Sequence, residues 1–431
     1  VAIRQEPAAT ERANGSRQED SMKRFAVSIP FGFAVCSLFL SGPSNAGGLY
    51  LSTFGAPDMG VASAGANAVA EDASTAHTNP AGMTRLDDHR ILMGLAPGFS
   101  NVEFSADMQS PRGTGDGGNQ GGFLPISSSS YVHKLSDRWR LGMSLLSFAG
   151  AGLNPNNDWA GRNEMTKVKL FTLSFVPVAA VRVTDWLSVG AGPVISYGRL
   201  NLTVRAPVGA EPNIKLKDVD DWAVAPLASV LIEPTPDLRF GVEYQGETDF
   251  QLSGKVELPL GMFTPGLDLE FPLPRALRAS AYWDATERIA LVMNTGWEDW
   301  STMGNLPVST SNGSGNVPLH MHDTWYIGAG GYYHLDDKWT LQTGFRYDSS
   351  ALKNRYRTTA LPVDRVWTFG VGGLYDYSDK LKIGLAFSWA NLGNASVNNV
   401  SVKGNYHRND IFLFGVSLNW KKLPWSGRGT F

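Results

Sequence analysis

The 431-residue sequence has a single cysteine, only 18% charged residues and no run of eighteen consecutive apolar side chains. The missing apolar run excludes a helical membrane protein, which needs about 20 such residues per span. The one cysteine, Cys36, excludes a disulfide scaffold. A net charge of −3, with neither sign concentrated in a block, leaves no electrostatic footprint for nucleic acid. No G-x-S-x-G elbow is present, and no Ser, His and acid set can be given catalytic roles, so no catalytic residue and no cofactor are expected. Metal is not expected either: His320, Met321, His322 and Asp323 fall in a polar loop and read as solvated.

What the chain does have is glycine (47), tryptophan (13) and turn-forming polar residues. Its one apolar stretch, FAVSIPFGFAVCSLFL at 25–40, follows Met22-Lys23-Arg24 and precedes the small residues Ser44 and Ala46. That is the pattern of a secretory signal peptide over 22–46, cleaved after Ala46; residues 1–21 read as an upstream extension.

From residue 90 onward one local pattern recurs. An alternating segment meets a tight polar turn carrying an acid, and a second alternating segment follows. The turns are KLSDRW (134–139), RVTDWL (182–187), EPTPDLRF (233–240), WDATERI (283–289), HLDDKW (334–339) and YSDKLK (377–382). Asp and Ser bond their own backbone at such places and close short hairpins. The connections between them are long and polar, near 106–121, 151–164, 207–217, 249–272, 301–322, 349–363 and 391–408. Short turns at one end and long loops at the other predict an all-β, 14-stranded antiparallel outer-membrane barrel over 90–420, with 421–431 as a tail.

The faces fit. Trp339, Leu341, Thr343, Phe345 and Tyr347 alternate with Thr340, Gln342, Gly344, Arg346 and Asp348, one face for lipid and one for the lumen. Trp139, Trp186, Trp283 and Trp339 flank the short turns, where an interfacial girdle belongs. A barrel this wide cannot be filled by its own wall side chains. The stretch 47–89 lacks strand alternation and is rich in Gly, Ala, Ser and Asn. It reads as a plug in the lumen, with Asn79-Pro80 as a fixed bend because proline locks its own backbone and restrains the residue before it. Glycine clusters at 190–193 and 328–331 read as smooth wall facing that plug, or as bulges.

The segment GAPDMGVASAGANAVAEDASTAHTNPAGM, with Asn79-Pro80-Ala81 near its end, resembles the N-terminal hatch of the FadL family of outer-membrane transporters for long-chain fatty acids and hydrocarbons. LDDKWTLQTGFRYDSS (335–350), LPVDRVW (361–367), EYQGETDFQLSG (243–254) and FLFGVSLNW (412–420) extend the likeness over nearly the whole chain beyond the leader. The resemblance implies a small helical hatch gated by Asn79, Pro80, Ala81 and Gly82. It implies passive uptake of a hydrophobic small molecule, and lateral release beside a kinked third strand, where Gly150 and Gly152 stand. It implies a monomer in contact with bilayer lipid and lipopolysaccharide. A diffusion porin for hydrophilic solutes is the alternative, and the plug-like segment argues against it.

Two features depart from the family. The chain runs on past the last alternating strand, so either Trp420 or Phe431 serves as the terminal aromatic assembly signal, and Pro424 with two glycines favours Trp420. The place aligned with a ligand-binding lysine holds Pro307, which leaves Arg199 and Arg205 as candidate partners for a ligand carboxylate. Without a cation at depth, the lumen would favour neutral hydrocarbons.

Overall fold

A computed structural model describes residues 49–50, 55, 57–111, 114–156, 158–205, 213–258, 265–311 and 313–421, the side chains of residues 217 and 218 excepted. The signal peptide, the upstream extension and Phe431 lie outside the described residues.

The chain forms one closed antiparallel sheet. Its strands are β1 (Arg90–Ala106), β2 (Phe123–Lys134), β3 (Trp139–Leu146), β4 (Gly150–Leu153), β5 (Lys167–Arg182), β6 (Leu187–Arg205) and β7 (Asn213–Thr235), then β8 (Leu238–Gln245), β9 (Thr248–Glu257), β10 (Gly266–Leu273), β11 (Ala276–Asp284) and β12 (Ile289–Glu298). A β13–β14 hairpin (Asn305–Thr310, Gly313–Pro318) precedes β15 (Thr324–His334), β16 (Trp339–Asp348), β17 (Val366–Ser378), β18 (Leu381–Asn391), the two-residue β19 (Val397–Asn398) and β20 (Lys403–Trp420). β1 closes the barrel on β20, from Ile91 opposite Trp420 to Ala106 opposite Gly404.

All six predicted turns join neighbouring strands. At 335–338 the Asp336 carboxylate accepts from the Lys338 and Trp339 amides, both at 2.8 Å, which is the self-bonding expected of an acid in such a turn. Trp139, Trp186, Trp283 and Trp339 are all exposed on the outer surface. The wall strands alternate as read: in β16 the side chains of Thr340, Gln342, Arg346 and Asp348 are buried, while those of Trp339, Leu341 and Phe345 face out.

The strand count is corrected from fourteen to sixteen, with the short β4, the β13–β14 hairpin and β19 set apart. The stretch 249–272 was expected as a long connection, yet it contains the paired strands β9 and β10, Gly266 lying opposite Lys255 and Leu273 opposite Thr248. They stand end-on above β8 and β11, after breaks at Gly246-Glu247 and Pro274-Arg275. The physical reason is an inversion of polarity. Here Phe250, Leu252, Leu267 and Leu269 are buried inward while Asp249, Gln251, Asp268 and Glu270 face out. A charged outer face is what a strand carries where it leaves the lipid, so these strands look like polar loop in sequence.

Inside the barrel, the N-terminal segment makes three short helical pieces: a 3-10 turn at Pro57–Val61, the helix α1 at Thr75–Thr78 and a second 3-10 turn at Pro80–Arg85. Almost all of its residues are buried. The wall around it carries small and polar side chains, as at Ser130, Ser144, Ser188 and Ser229. Toward the long-loop end the inward side chains become apolar.

Candidate functional site: the lumen and its N-terminal segment

Asn79 ends α1 and caps the 3-10 turn that follows. Its backbone is extended (φ −165°, ψ 92°), as the residue before a proline prefers, and Pro80 occupies the first position of the turn, where a missing N–H costs nothing. The Asn79 side chain accepts from the Ala81 amide at 3.1 Å and donates to the Asn67 carbonyl at 2.6 Å and the Val230 carbonyl at 3.1 Å. One side chain thus ties two loops of the segment to β7. The Ala81 amide also donates to Ser229 Oγ at 3.0 Å, Thr84 meets Ser188 at 2.7 Å, and Arg85 pairs with Glu233.

These contacts need the wall to come close. A Cβ on Gly190 would stand 2.6 Å from the Ala81 nitrogen, and one on Gly241 would stand 1.8 Å from the Asn67 carbonyl oxygen. Neither position has room for any side chain. Gly190, read as smooth wall facing the plug, therefore lies directly against Pro80 and Ala81. Gly82 is buried against Ala70 and Thr75.

The remaining contacts form a buried polar layer. Asn67 donates to Glu243 at 2.8 Å and accepts from Ser280 at 3.1 Å; Arg239 donates to the Ala68 and Val69 carbonyls at 2.8 and 2.7 Å while lying over the Tyr282 ring. His77 Nδ1 lies 3.3 Å from Ser130 and 3.2 Å from Ser144, and burial pushes its imidazole down to about 3, so it is neutral at any physiological pH. Arg140 on β3 donates twice to the Leu86 carbonyl.

Next to this layer lies a cavity of about 60 Å³ whose lining includes Tyr50, Asn67, Glu243, Arg278, Glu298 and Arg346. Each of its arginines already holds acceptors. Arg278 meets Glu243 at 3.0 Å and Gln245 at 3.1 Å, and Arg346 grips Asp348 with contacts of 2.6 to 3.0 Å. The cavity has room for a few waters and no more, given the ~10–15 Å³ that each needs.

Beyond this cavity the lumen is apolar. Tyr50 packs edge-on against Trp300 at 5.3 Å, and Phe148, Phe250, Leu252, Leu269, Met303 and Leu306 belong to the same buried cluster. Further out, Phe104 packs at a tilt against Tyr406 at 5.0 Å and meets Trp159 edge-on.

The third strand is interrupted. β3 stops at Leu146, residues 147–149 leave the ladder, and β4 resumes at Gly150 with a register set by β5 alone. Ser129 opposite Leu145 is the last β2–β3 pair, and among the described residues β2 beyond it is bonded to β1 but to no strand on its other side. The N-terminal segment fills the interruption: Tyr50 bridges Ala149 and the Gly150 amide donates to the Leu49 carbonyl at 3.2 Å. Gly150 and Gly152 thus begin the resumed strand, facing Phe171 and Lys169 across the ladder.

Arg199 and Arg205 are not brought to the lumen. On β6 the buried positions Val194, Ser196, Gly198 and Leu200 alternate with Ile195, Tyr197 and Arg199, and continuing that parity puts Arg205 on the outer face as well. Pro307 lies exposed on the β13–β14 hairpin. Sequence reasoning missed Asn67 and Tyr50, which bond Glu243 and Pro274 at separations of 176 and 224 residues, and Arg278, which faces Glu243 from the neighbouring strand; a buried Arg and Glu facing each other on β11 and β8 leaves no local pattern. Glu243 bonds the N-terminal segment through Asn67, whereas Glu298 accepts from the Trp300 indole at 2.7 Å.

A closed antiparallel barrel with aromatic side chains at its outward rims and its own N-terminal segment packed in the lumen defines a plugged outer-membrane barrel. The chain belongs to the family described as outer membrane protein transport protein (OMPP1/FadL/TodX), matched over residues 37–419. The long-chain fatty acid transport protein of Salmonella typhi is 23% identical over 365 residues, covering 76% of this chain and 84% of that protein. Among solved structures, a Pseudomonas aeruginosa FadL homologue superposes with a TM-score of 0.80 at 19% identity, covering 87% of this chain and 99% of that one. The Ralstonia pickettii toluene transporter TbuX gives 0.65 at 18% identity, with 86% and 99% covered. The family is one of transporters rather than enzymes, and its setting is the Gram-negative outer membrane.

Proposed function

We propose that the protein carries hydrophobic small molecules passively across the outer membrane, with the N-terminal segment as a hatch and release sideways through the wall beside the third strand. The observation that carries this reading is the interruption at 147–149, where, among the described residues, no strand ladder joins β2 to β4 and Leu49 and Tyr50 fill the gap beside the apolar lumen. A ligand that has entered the apolar part finds a water-sized polar cavity ahead among the described residues. Onward passage along the axis would strip it into a charged layer, whereas a sideways exit leads to lipid. Movement of Asn79, Pro80, Ala81 and Gly82 with their neighbours then controls the plug. A hydrophilic-solute porin needs an open wet lumen, and the packed segment counts against it.

The ligand class follows from charge. Arg278 and Arg346 already have carboxylate partners, and Arg199 and Arg205 face outward. A fatty-acid carboxylate entering the lumen would have to displace an acid that is already bonded, whereas a neutral aromatic or aliphatic hydrocarbon would not. The test is uptake of a labelled neutral aromatic against a labelled long-chain fatty acid, in cells lacking their own transporter and expressing this chain. Hydrocarbon uptake in excess of fatty-acid uptake is expected. Fatty-acid uptake alone would overturn the neutral-ligand reading, and uptake of neither would overturn the transport reading.

A further inference from the structure

The outer surface of the barrel is not uniform where it leaves the lipid. On β5, β6 and β7 the outward positions are apolar from Val181 to Phe171, from Leu187 to Tyr197 and from Ile232 to Trp222, eleven residues and so ten steps in each case. Ten steps of ~3.3 Å each, tilted by ~40°, rise ~25 Å, which is the height of the lipid-facing band. Three aromatic rings therefore end the band side by side, with Phe171 6.5 Å from Tyr197 and Tyr197 5.3 Å from Trp222.

Immediately beyond these rings, cations take over the same outward face. Lys169 and Lys167 follow Phe171, Arg199 and Arg205 follow Tyr197, and Lys215 lies across from Thr203, itself across from Lys167. Lys167, Lys169 and Lys215 are exposed. Among the described residues acids also stand here: Asp220, which takes the Tyr197 hydroxyl and lies opposite Arg199, Glu257, opposite Lys215, and the half-exposed Asp221, which accepts from the Gln251 amide at 2.8 Å. At several other points of the rim acids stand in this place. Asp323 accepts from the Trp297 indole at 3.1 Å, Asp410 accepts from the Trp389 indole at 2.9 Å, and Asp268 and Glu270 are exposed on β10.

We propose that the outward face of β5, β6 and β7 is a docking site for lipopolysaccharide. Its acyl chains lie against Phe171, Tyr197 and Trp222, and its lipid A phosphates sit among Lys167, Lys169, Arg205 and Lys215. The ligand is fixed by the combination of greasy rings and several cations at one headgroup level, because each cation near a membrane surface adds to the attraction for anionic lipid. The acidic sectors of the same rim repel that ligand, so the site is one-sided.

The test uses the full-length protein purified in detergent from lipopolysaccharide-producing cells, with the retained glycolipid counted by native mass spectrometry. The triple variant Lys167→Gln, Lys169→Gln, Lys215→Gln is expected to retain at least about tenfold less than the parent. The double variant Arg365→Gln, Arg408→Gln removes two exposed cations from another part of the rim and is expected to retain as much as the parent. Equal retention by the triple variant, or equal loss in both, overturns the site. Unaltered protein is also titrated with lipid A and with phosphatase-treated lipid A, which reads the phosphate requirement even if the triple variant does not fold. Equal affinity for the two overturns the proposal, and much weaker binding of the dephosphorylated form supports it.

Discussion

The side-chain amide of Asn79 donates to the main-chain carbonyl of Asn67 at 2.6 Å, and the side-chain amide of Asn67 in turn donates to Glu243 on the barrel wall at 2.8 Å. Two asparagines twelve residues apart thus relay the proline bend to a wall strand. Because all three groups are buried, removing one leaves others without partners. Asn79→Ala is expected to weaken the seating of the N-terminal segment by ~1–3 kcal/mol, with little effect on the barrel ladder. Amide exchange over residues 67–83 should rise by about tenfold or more. The check is hydrogen-exchange mass spectrometry; unchanged exchange there would count against the relay.

Gly241 tests the same interface from the wall side. Alanine at this position puts a methyl carbon 1.8 Å from the Asn67 carbonyl oxygen, and both parties are backbone, so neither can swing away. The segment must shift. Gly241→Ala is expected to raise single-channel conductance of the purified barrel in planar bilayers, whereas Gly122→Ala, where a Cβ meets nothing within 4 Å, should leave it at the parent level. Equal conductance in both variants would mean that the segment tolerates the methyl group in place.

Asp58 gives the segment a pH dependence. Burial, and then the nearby Asp72, pushes its carboxyl up from 3.8 to about 7. The folded pKa is raised, so the packed form holds its proton where the released segment would lose it. Seating is therefore strongest below about pH 4, weakens as pH rises toward 7 and changes no further above that. Limited proteolysis of the segment should be slower at pH 5 than at pH 8, after correction for the protease's own profile. Asp58→Asn should flatten the difference, and a difference that survives in that variant would assign it to another group.

How far all this could be read from sequence depended on whether a feature is local. The hairpin turns were legible because a short polar side chain bonds its own neighbours, as Ser136, Thr286, Asp336 and Ser378 do. The bend at Asn79-Pro80 was legible because proline acts on adjacent residues. The β9–β10 pair was not, since the cue used for a strand was an apolar outer face, and Phe250 and Leu269 turn inward above the lipid. The face carrying Arg199 was ambiguous for a related reason. Val194 and Ile195 are both apolar, so alternation on β6 does not say which side is the lumen until the register with β7 exposes Tyr197 beside Trp222. The pairing of Arg278 with Glu243 depends on β11 lying beside β8, which no local pattern announces.

That pairing gives the sharpest test of ligand charge. Arg278 is held by Glu243 at 3.0 Å, and Glu243 also accepts from Asn67. Asn67 and Arg278 use different oxygens of Glu243, so Glu243→Gln keeps an acceptor for one of them, turns an amide nitrogen toward the other and removes the negative charge, leaving a buried guanidinium without its ionic partner. Such a cation is costly unless an anion replaces the lost one, and the penalty for stripping one partner from a buried pair is ~3–5 kcal/mol. A fatty-acid carboxylate would supply the replacement charge; toluene or an alkane would not. The variant is therefore expected to gain long-chain fatty-acid uptake relative to the parent while hydrocarbon uptake stays level or falls, measured in the same transporter-deficient cells. Arg278→Ala in combination with Glu243→Gln removes the cation as well and should return fatty-acid uptake to the parent level. If Glu243→Gln raises uptake of both ligands equally, the charge pair holds the segment in place without selecting the ligand, because a loosened plug admits either.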